Sequence, residues 1–235
     1  MGHAKKNLKK KIRVPKHASD ARIMRPFSSY ILAEEAMLDG DRGKPYCFAI
    51  ERTKAFVIAD LHFNDMVIFS MCRRGCFSSV EAMNAKLISN WNSVVDVDDI
   101  VFVLGDITGS VGSRQYLYWL SQLNGQKVIV KGNHDVSVSD CCTEVRLKFK
   151  GQEFLLVHKP EKGEKFNGWV IHGHKHRNTR KKFPFFDPRE RRINVCAELI
   201  GFVPLSVERL CQLIVAEQSS SLVYLPDAEP KSFKR

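Results

Sequence analysis

Five short clusters of His, Asp and Asn residues carry the side chains of this 235-residue chain that could do chemistry. Each cluster follows a short apolar run, and the clusters are Asp60-Leu-His62, Gly105-Asp106, Gly132-Asn-His-Asp135, His158 and His172-Gly-His-Lys-His176. Carboxylate oxygens, an amide oxygen and imidazole nitrogens are ligands that suit divalent Mn, Fe, Co or Zn. Together they are too many for one tetrahedral zinc ion, but they suit two ions about 3.5–4 Å apart that share a carboxylate. The clusters therefore predict a dinuclear metal site.

The apolar runs before these clusters predict strands of an α/β fold. Phe56-Val-Ile-Ala59 leads into Asp60, Ile100-Val-Phe-Val-Leu104 into Gly105-Asp106, and Lys127-Val-Ile-Val130 towards Gly132. Because sites in open α/β sheets form at the carboxyl ends of strands, clusters that are far apart in sequence can converge there. Further strands are predicted at about residues 143–149, 153–157, 169–172 and 192–196.

Helices are predicted between these strands. Ser78-Ser-Val-Glu81 has the spacing of a capping box, which indicates a helix that runs to about Ser93. Its apolar side chains recur near helical spacing, at Val80, Met83, Leu87 and Trp91. Other helices are predicted at residues 28–39, 114–123 and 206–217.

Taken in order, the clusters resemble the signature of calcineurin-like metallophosphoesterases: Asp-x-His, Gly-Asp, Gly-Asn-His-Asp, a single His and Gly-His-x-His. The resemblance covers about residues 55–205. Within the family, the chain is most similar to the small phosphoesterases of bacteria, archaea and phages. The features shared with that branch include Asp60-Leu-His-Phe63, Met83-Asn84, Trp91-Asn92, Ile193-Asn-Val195 and Pro204-Leu-Ser206. The fold that this resemblance implies is a four-layer αββα sandwich with two mixed β-sheets.

The resemblance also implies a role for each matched residue. One metal ion is expected on Asp60, His62 and His176, and a second on Asn133, His158 and His174, with Asp106 bridging both. The two divalent ions are expected to be Mn²⁺, with Fe, Co, Ni and Zn as alternatives. A metal-bridging hydroxide would attack phosphorus.

Two further residues of the third cluster are assigned to catalysis. His134 is expected to stand over the leaving oxygen as proton donor or charge stabiliser. Asp135 is expected to orient the loop or a ligand. His172 lies outside the matched pattern and is expected to serve in packing or to support a ligand.

The chain departs from better-known relatives at two places. In protein Ser/Thr phosphatases and diadenosine tetraphosphatases the Gly-Asp motif continues with a second Asp and an Arg, and here Gly109 takes that Asp position. The small-phosphoesterase branch usually continues its first motif with Gly-His, and here the chain reads Asn64-Asp65. The substrate can therefore differ from that of these relatives.

The net charge of +11 is concentrated in two segments. Residues 1–19 hold seven basic residues and no acidic one, all of them between residues 5 and 16. Residues 175–192 begin within the last ligand motif, and their candidate substrate-binding residues are Arg177, Arg180, Lys181 and Lys182. Basic residues with interleaved Phe183, Phe185 and Phe186 favour contact with RNA or DNA through both segments. The alternative is a solvated tail and a charged loop whose Phe residues pack against the body.

The sequence divides into a basic flexible arm (1–19), an extension with a short helix (20–54), a metallophosphoesterase domain (55–217) and a tail (218–235). The seven cysteines have neither disulfide-framework nor zinc-knuckle spacing, which indicates reduced thiols and a cytoplasmic location. No apolar run has the length of a membrane helix, and no secretory signal or membrane partner is expected.

The function predicted is metal-dependent hydrolysis of a phosphodiester of nucleotide or nucleic-acid type. One alternative is a phosphomonoesterase without a nucleic-acid role. Another is a weakly active or inactive protein of the same fold that binds or assembles with RNA or DNA. The complete ligand set and the presence of His134 favour an enzyme.

Overall fold

The computed structural model describes residues 46–50, 54–72, 74–109, 113–135 and 141–219. The predicted basic arm, the predicted helix at residues 28–39 and the tail from residue 220 lie outside these described residues. The strands are β1 (Tyr46–Ala49), β2 (Ala55–Ile58), β3 (Ile100–Val103), β4 (Gln126–Ile129), β5 (Val145–Phe149), β6 (Gln152–Val157), β7 (Trp169–His172), β8 (Phe186–Asp187), β9 (Arg192–Asn194) and β10 (Leu205–Ser206). The α-helices are α1 (Met66–Met71), α2 (Val80–Asn92), α3 (Ser113–Ser121) and α4 (Val207–Ser219).

The strands form two mixed sheets. The smaller has the order β10-β2-β3-β4, with β2, β3 and β4 parallel and β10 antiparallel at the edge. The larger has the order β1-β5-β6-β7-β9-β8, in which β6, β7 and β9 run parallel to one another. Strand β5 is antiparallel to β6 but parallel to β1, and β8 is antiparallel to β9. Every residue of β2 and β3 is buried, as expected for parallel strands that are covered on both faces.

The two sheets pack face to face around the main core. Phe102 of β3 belongs to the same buried cluster as Leu156 of β6, and its ring meets that of Phe48 edge to face with centroids 5.2 Å apart. A second buried cluster joins the other face of the four-stranded sheet to α2 and α3, where Trp91 and Tyr116 are fully buried. Two mixed sheets with packed helices confirm the predicted α/β sandwich.

Helix α2 packs on the four-stranded sheet as its sequence predicts, through Val80, Met83, Leu87 and Trp91. Its N-cap differs from the prediction, because Ser79 rather than Ser78 precedes the first helical residue. The Ser79 side chain accepts a hydrogen bond from the Ala82 amide, as an N-cap residue should. The difference shifts the start of the helix by one residue and leaves its buried face unchanged.

Short elements account for most of the structure that the sequence pattern did not predict. Strands β8 and β10 have two residues each, and β1 lies at the edge of the larger sheet beside β5. Helix α1 consists of Met66-Val-Ile-Phe-Ser-Met71 and has no buried residue. In the described part of the chain, no helix combines the length and apolarity needed to cross a membrane.

Candidate metal centre

The predicted ligands lie in five loops, and each loop directly follows a strand. Asp60 and His62 follow β2, Asp106 follows β3, and Asn133 follows β4, so these residues come from the four-stranded sheet. The six-stranded sheet supplies the remaining ligands, which are His158 after β6 and both His174 and His176 after β7. The predicted ligands therefore meet at one end of the sandwich, between its two sheets.

The first group of ligands consists of Asp60, His62 and His176. One candidate ligand atom from each residue lies within 4.8 Å of the others. Asp60 and His62 are fully buried, and the side chain of His176 is only 13% exposed, so the group is largely closed to bulk solvent. These residues are the predicted ligands of one metal ion.

The second group consists of Asp106, His158 and His174, whose candidate ligand atoms also lie within 4.8 Å of one another. Asn133 lies beside this group, with its Oδ1 2.9 Å from His158 Nε2. Asp106 faces both groups, because its Oδ2 lies 3.3 Å from His158 Nε2 and 3.7 Å from His62 Nε2. This position between the two groups is the one that a bridging carboxylate requires.

Two observations indicate that these residues are suited to bind divalent cations. Asp60 Oδ1 and His62 Nε2 are buried and have no hydrogen-bond partner within the described residues. Buried polar atoms without partners are costly, and a cation between them would satisfy both. The donors are carboxylate oxygens, an amide oxygen and imidazole nitrogens, a set that suits Mn, Fe, Co, Ni and Zn.

Hydrogen bonds fix the orientation of three of the ligand histidines. His158 donates from Nδ1 to the Leu104 carbonyl at 2.8 Å, and His176 Nδ1 lies 2.8 Å from Glu198 Oε1. His62 Nδ1 lies 3.0 Å from Asp65 Oδ2. A histidine that donates from Nδ1 presents Nε2 to a metal when its ring is neutral. The oxygens that accept from Nδ1 thus leave Nε2 of each ring facing the candidate metal centre.

Backbone strain is concentrated at the predicted ligands. Asp60, His62, Asp106 and His174 all have positive φ angles, of 57°, 49°, 52° and 66°. Residues other than glycine rarely adopt this left-handed conformation, and such strain clusters at functional sites. Four of the seven predicted ligands therefore have this uncommon backbone conformation.

The carboxylate of Asp106 is held by neighbours that favour its ionised form. Burial alone would raise the pKa of Asp106, but its contacts with His158 and a hydrogen bond from the His134 amide lower it to about 2. A carboxylate that remains ionised at neutral pH is the form that binds a cation.

His134 and Asp135 occupy the loop that follows β4. The His134 ring is half-buried, and its centroid lies 5.3 Å from that of His62. Asp135 is buried, and its two carboxylate oxygens accept hydrogen bonds from the amides of Gly132, Asp106 and Ile107. Asp135 therefore ties the loop after β4 to the loop after β3, and its role in catalysis stays a prediction. Burial also raises the pKa of Asp135.

His172 lies among the strands rather than in either ligand group. Its Nδ1 donates to the Gly173 carbonyl at 2.8 Å, and burial lowers its pKa to about 4. The ring lies edge-on to Phe183, with centroids 6.2 Å apart. These contacts describe a neutral, packed histidine.

Several residues that sequence reasoning missed support the ligands from behind. Arg74 is fully buried and donates to the carbonyls of Asp60 and Leu61 and to Glu198 Oε1. Cys196 Sγ lies 2.8 Å from Asp60 Oδ2. Neither Arg74 nor Cys196 belongs to a recognisable motif. Because Glu198 and Asp60, which they respectively contact, lie 124 and 136 positions away in the sequence, no local pattern predicts their role.

The basic segment after His176 lies at the surface beside the centre. Arg177 is half-buried in a short 3-10 turn (Arg177–Thr179), while Arg180, Lys181 and Lys182 are exposed. Phe183 lies under two ammonium groups, with Lys175 Nζ 5.0 Å and Lys182 Nζ 5.7 Å from its ring centroid. The other two aromatic rings of the segment, Phe185 and Phe186, pack against the main core.

Comparison with known proteins supports the predicted family. A family model described as calcineurin-like phosphoesterase matches residues 53–212. An uncharacterized protein of Methanocaldococcus jannaschii is 39% identical over 164 residues, which cover 68% of this chain and 91% of that protein. The gene 66 protein of Mycobacterium phage L5 is 39% identical over 79 residues, which cover 33% of this chain and 37% of the phage protein.

A solved structure shares the fold. The crystal structure of a protein of unknown function from Aquifex aeolicus has a TM-score of 0.56 and 24% sequence identity, and covers 69% of this chain and 100% of its own. At this level of identity the likeness shows the fold alone.

Proposed function

We propose a function for this chain from the premise that it belongs to the calcineurin-like phosphoesterase family. The proposed reaction is the hydrolysis of phosphodiester bonds in nucleotides or nucleic acids, with two bound divalent metal ions. The observation that carries the proposal is the convergence of two ligand groups, Asp60-His62-His176 and Asp106-His158-His174, each of which combines residues from both sheets. Family membership supports the reaction class, and the ligand groups support its dependence on metal.

The two ions would be held by the two ligand groups, with Asp106 shared and Asn133 completing the second group. Bound divalent ions in such a pair supply Lewis-acid stabilisation of phosphoryl charge and activation of water. Manganese is the proposed metal, because the mixture of oxygen and nitrogen donors suits it. Among the protein's own residues, Asp65, Leu104 and Glu198 hold the ligand histidines ready to bind.

His134 would protonate the leaving oxygen or stabilise its charge. Its backbone is fixed by the hydrogen bond from its amide to Asp106 Oδ1 at 2.8 Å, while its half-buried ring remains open to a ligand. Proton transfer by a positioned side chain contributes about 10²–10⁴ in rate. Asp135 would keep this loop against the loop that carries Asp106.

Basic residues next to the last two ligands favour a polyanionic diester. Arg177 follows the ligand His176 directly, and the exposed Arg180, Lys181 and Lys182 come within six residues of it. Guanidinium groups bind phosphate through paired hydrogen bonds, and Phe183 offers one aromatic face flanked by lysines. Residues 5–16 would add non-specific contacts to RNA or DNA through their lysines.

The test compares hydrolysis of a bis-aryl phosphate with that of an aryl monophosphate by metal-free protein to which Mn²⁺ is added. We expect turnover that depends on Mn²⁺, favours the diester and falls by about 10²–10⁴ in His134→Ala. Asp106→Asn should abolish turnover, because it removes the shared carboxylate. Asp98→Asn is the matched control, since Asp98 is exposed before β3 whereas the ligands follow the strands.

Each other outcome separates the proposal from its alternatives. A strong preference for the monoester would identify a phosphomonoesterase. Bound metal without turnover of either ester, tested also with Co²⁺, Ni²⁺ and Zn²⁺, would contradict a general phosphodiesterase and favour a binding or assembly role.

A further inference from the structure

Asp65 contacts His62 although no motif assigned it a role. Its Oδ2 lies 3.0 Å from His62 Nδ1, while its Oδ1 accepts hydrogen bonds from the amides of Val67 and Ile68, both at 3.0 Å. One carboxylate thus orients a predicted metal ligand and caps the first turn of α1 at the same time.

Gly109 provides the space in which this carboxylate lies. A Cβ atom at Gly109 would lie 2.9 Å from Asp65 Oδ2 and 3.1 Å from Asp65 Cγ. The first of these distances is shorter than side chains in proteins tolerate, so any larger residue at position 109 would displace the carboxylate. The loop that carries Gly109 runs beside the first motif, where Phe63 and Thr108 form an isolated parallel bridge.

We propose that Asp65 is a positioning residue for the metal centre, holding His62 with Nε2 towards the metal, and that Gly109 keeps open the space from which a carboxylate can do so. The proposal rests on the proposed metal site but not on any substrate. It concerns how tightly the centre binds metal, a property that can be measured without turnover.

The tautomer of His62 depends on what faces its Nδ1. A carboxylate can only accept there, so His62 must donate from Nδ1 and leave Nε2 free for a metal. An amide nitrogen in the same place would donate to Nδ1 and move the ring proton to Nε2, where it blocks metal binding. Partners behind metal-binding histidines are typically worth about 10–100-fold in metal affinity.

Helix α1 makes the dependence on Asp65 stronger. The helix has six residues and none of them is fully buried, although Phe69 packs partly buried against the second core cluster. The two capping hydrogen bonds of Asp65 fix its first turn. The same carboxylate therefore holds the start of α1 and orients the ligand.

The decisive variant is Asp65→Asn, because asparagine caps helices as well as aspartate does. Its side-chain oxygen can keep the bonds to Val67 and Ile68, which leaves the amide nitrogen to face His62. We expect a loss of about 10–100-fold in affinity for the ion at the His62 site, measured by titration calorimetry with Mn²⁺ and by the visible spectrum of bound Co²⁺. Asp98→Asn, which changes an exposed aspartate in the same way, should bind both ions as the unchanged protein does.

A second pair of variants tests the space at Gly109. Asp65→Ala should weaken metal binding at the same site. The double variant Asp65→Ala/Gly109→Asp should bind the metal at least tenfold more tightly than Asp65→Ala does. Gly109→Asp alone should weaken binding, since two carboxylates cannot share the space. A merely structural role for Asp65 predicts no such recovery.

Wild-type affinity in Asp65→Asn would overturn the role of Asp65. A folded double variant that binds as weakly as Asp65→Ala would overturn the role of the space at Gly109. Failure of the phosphodiesterase proposal would look different, because both ions would bind normally and only turnover would be missing.

Discussion

Arg74 and Glu198 form a buried ion pair directly behind His176. The Arg74 Nε lies 3.1 Å from Glu198 Oε1, and that same oxygen accepts from His176 Nδ1 at 2.8 Å. Burial alone would raise the pKa of Glu198, but Arg74 and His176 outweigh burial and lower it to about 2. Arg74 also holds the carbonyls of Asp60 and Leu61, so one guanidinium supports ligands from both sheets.

Replacing Arg74 should lower the free energy of unfolding. In Arg74→Met the side chain keeps much of its length but leaves Glu198 without its cationic partner, and breaking such a buried pair costs about 3–5 kcal/mol. Urea unfolding of the metal-free protein measures the loss, and Arg114→Met, at an exposed position in α3, is the control. A loss below about 1 kcal/mol, the range of exposed ion pairs, would contradict the assignment. Glu198→Gln in the Arg74→Met background should recover part of the stability, because it removes the unpaired charge.

At the level of single residues, the sequence predicts those that recur in a motif and misses those that act through distant contacts. Asp60, His62 and Asp106 stand out because they follow apolar runs in a recognisable order. Arg74 and Glu198 are separated by 124 positions, and neither has a pattern around it. Their pairing depends on how the segment between α1 and α2 meets the loop after β9, which only the folded chain reveals.

Loops rather than regular elements determine the shape of the centre. Gly132, in the loop after β4, lies against the backbone of Asp106 in the loop after β3. A Cβ atom at Gly132 would lie 2.1 Å from Asp106 Oδ1 and 2.3 Å from the Asp106 amide nitrogen. The absence of a side chain at Gly132 thus permits the two loops to touch, and Asp135 then ties them together.

A single methyl group should therefore disturb the centre. We expect Gly132→Ala to push Asp106 away from its position between the two ligand groups and to reduce Mn²⁺ binding by at least tenfold. Titration calorimetry measures the binding, and circular dichroism checks that the variant is folded. Gly75→Ala is the matched control, because a Cβ atom at Gly75 meets nothing within 4 Å. Unchanged binding in Gly132→Ala would show that the loops can separate without affecting the ligands.

At the level of elements, the sequence predicts those with a strong pattern and misses those that are short or unpatterned. The strand observed at Trp169–His172 matches its prediction, and α2 shows the buried face expected from its spacing. Helix α1 was missed because it has only six residues, five of them apolar, so that no helical period marks it. Strands β8 and β10 have two residues each, too few to show an alternating pattern, and pair with β9 and β2.

Each ligand group joins the two sheets of the molecule. Asp60 and His62 extend from the four-stranded sheet and His176 from the six-stranded one, and the second group divides in the same way. Carboxylates and histidines share this end of the sandwich, where Asp60 Oδ1 and His62 Nε2 are buried without a hydrogen-bond partner in the described part of the chain. Metal ions should therefore hold the two sheets together as well as supply chemistry.

Metal binding should raise the stability of the whole chain. An ion that binds only the folded state at 100 times its Kd adds about 2.7 kcal/mol to the free energy of unfolding. We expect the thermal midpoint to rise with Mn²⁺ and to fall again when a chelator is added, as measured by scanning calorimetry. The rise should be largely lost in His158→Ala. An equal rise in that variant would mean that the ions bind elsewhere.

The charge distribution of the molecule makes a separate prediction about its partner. Binding to a single-stranded oligonucleotide should weaken as salt increases, with a slope of log K against log salt of about −0.7 for each phosphate neutralised. The variant Arg180→Ala/Lys181→Ala/Lys182→Ala removes three exposed charges beside the centre, so its slope should be shallower by up to about 2. The control Lys54→Ala/Lys86→Ala/Lys148→Ala removes three exposed charges elsewhere and should leave the slope unchanged. Fluorescence anisotropy from 50 to 200 mM salt, conditions in which such slopes are resolved, measures both variants. If both triple variants shift the slope equally, the contact is spread over the whole surface, and the segment after His176 has no special part in binding.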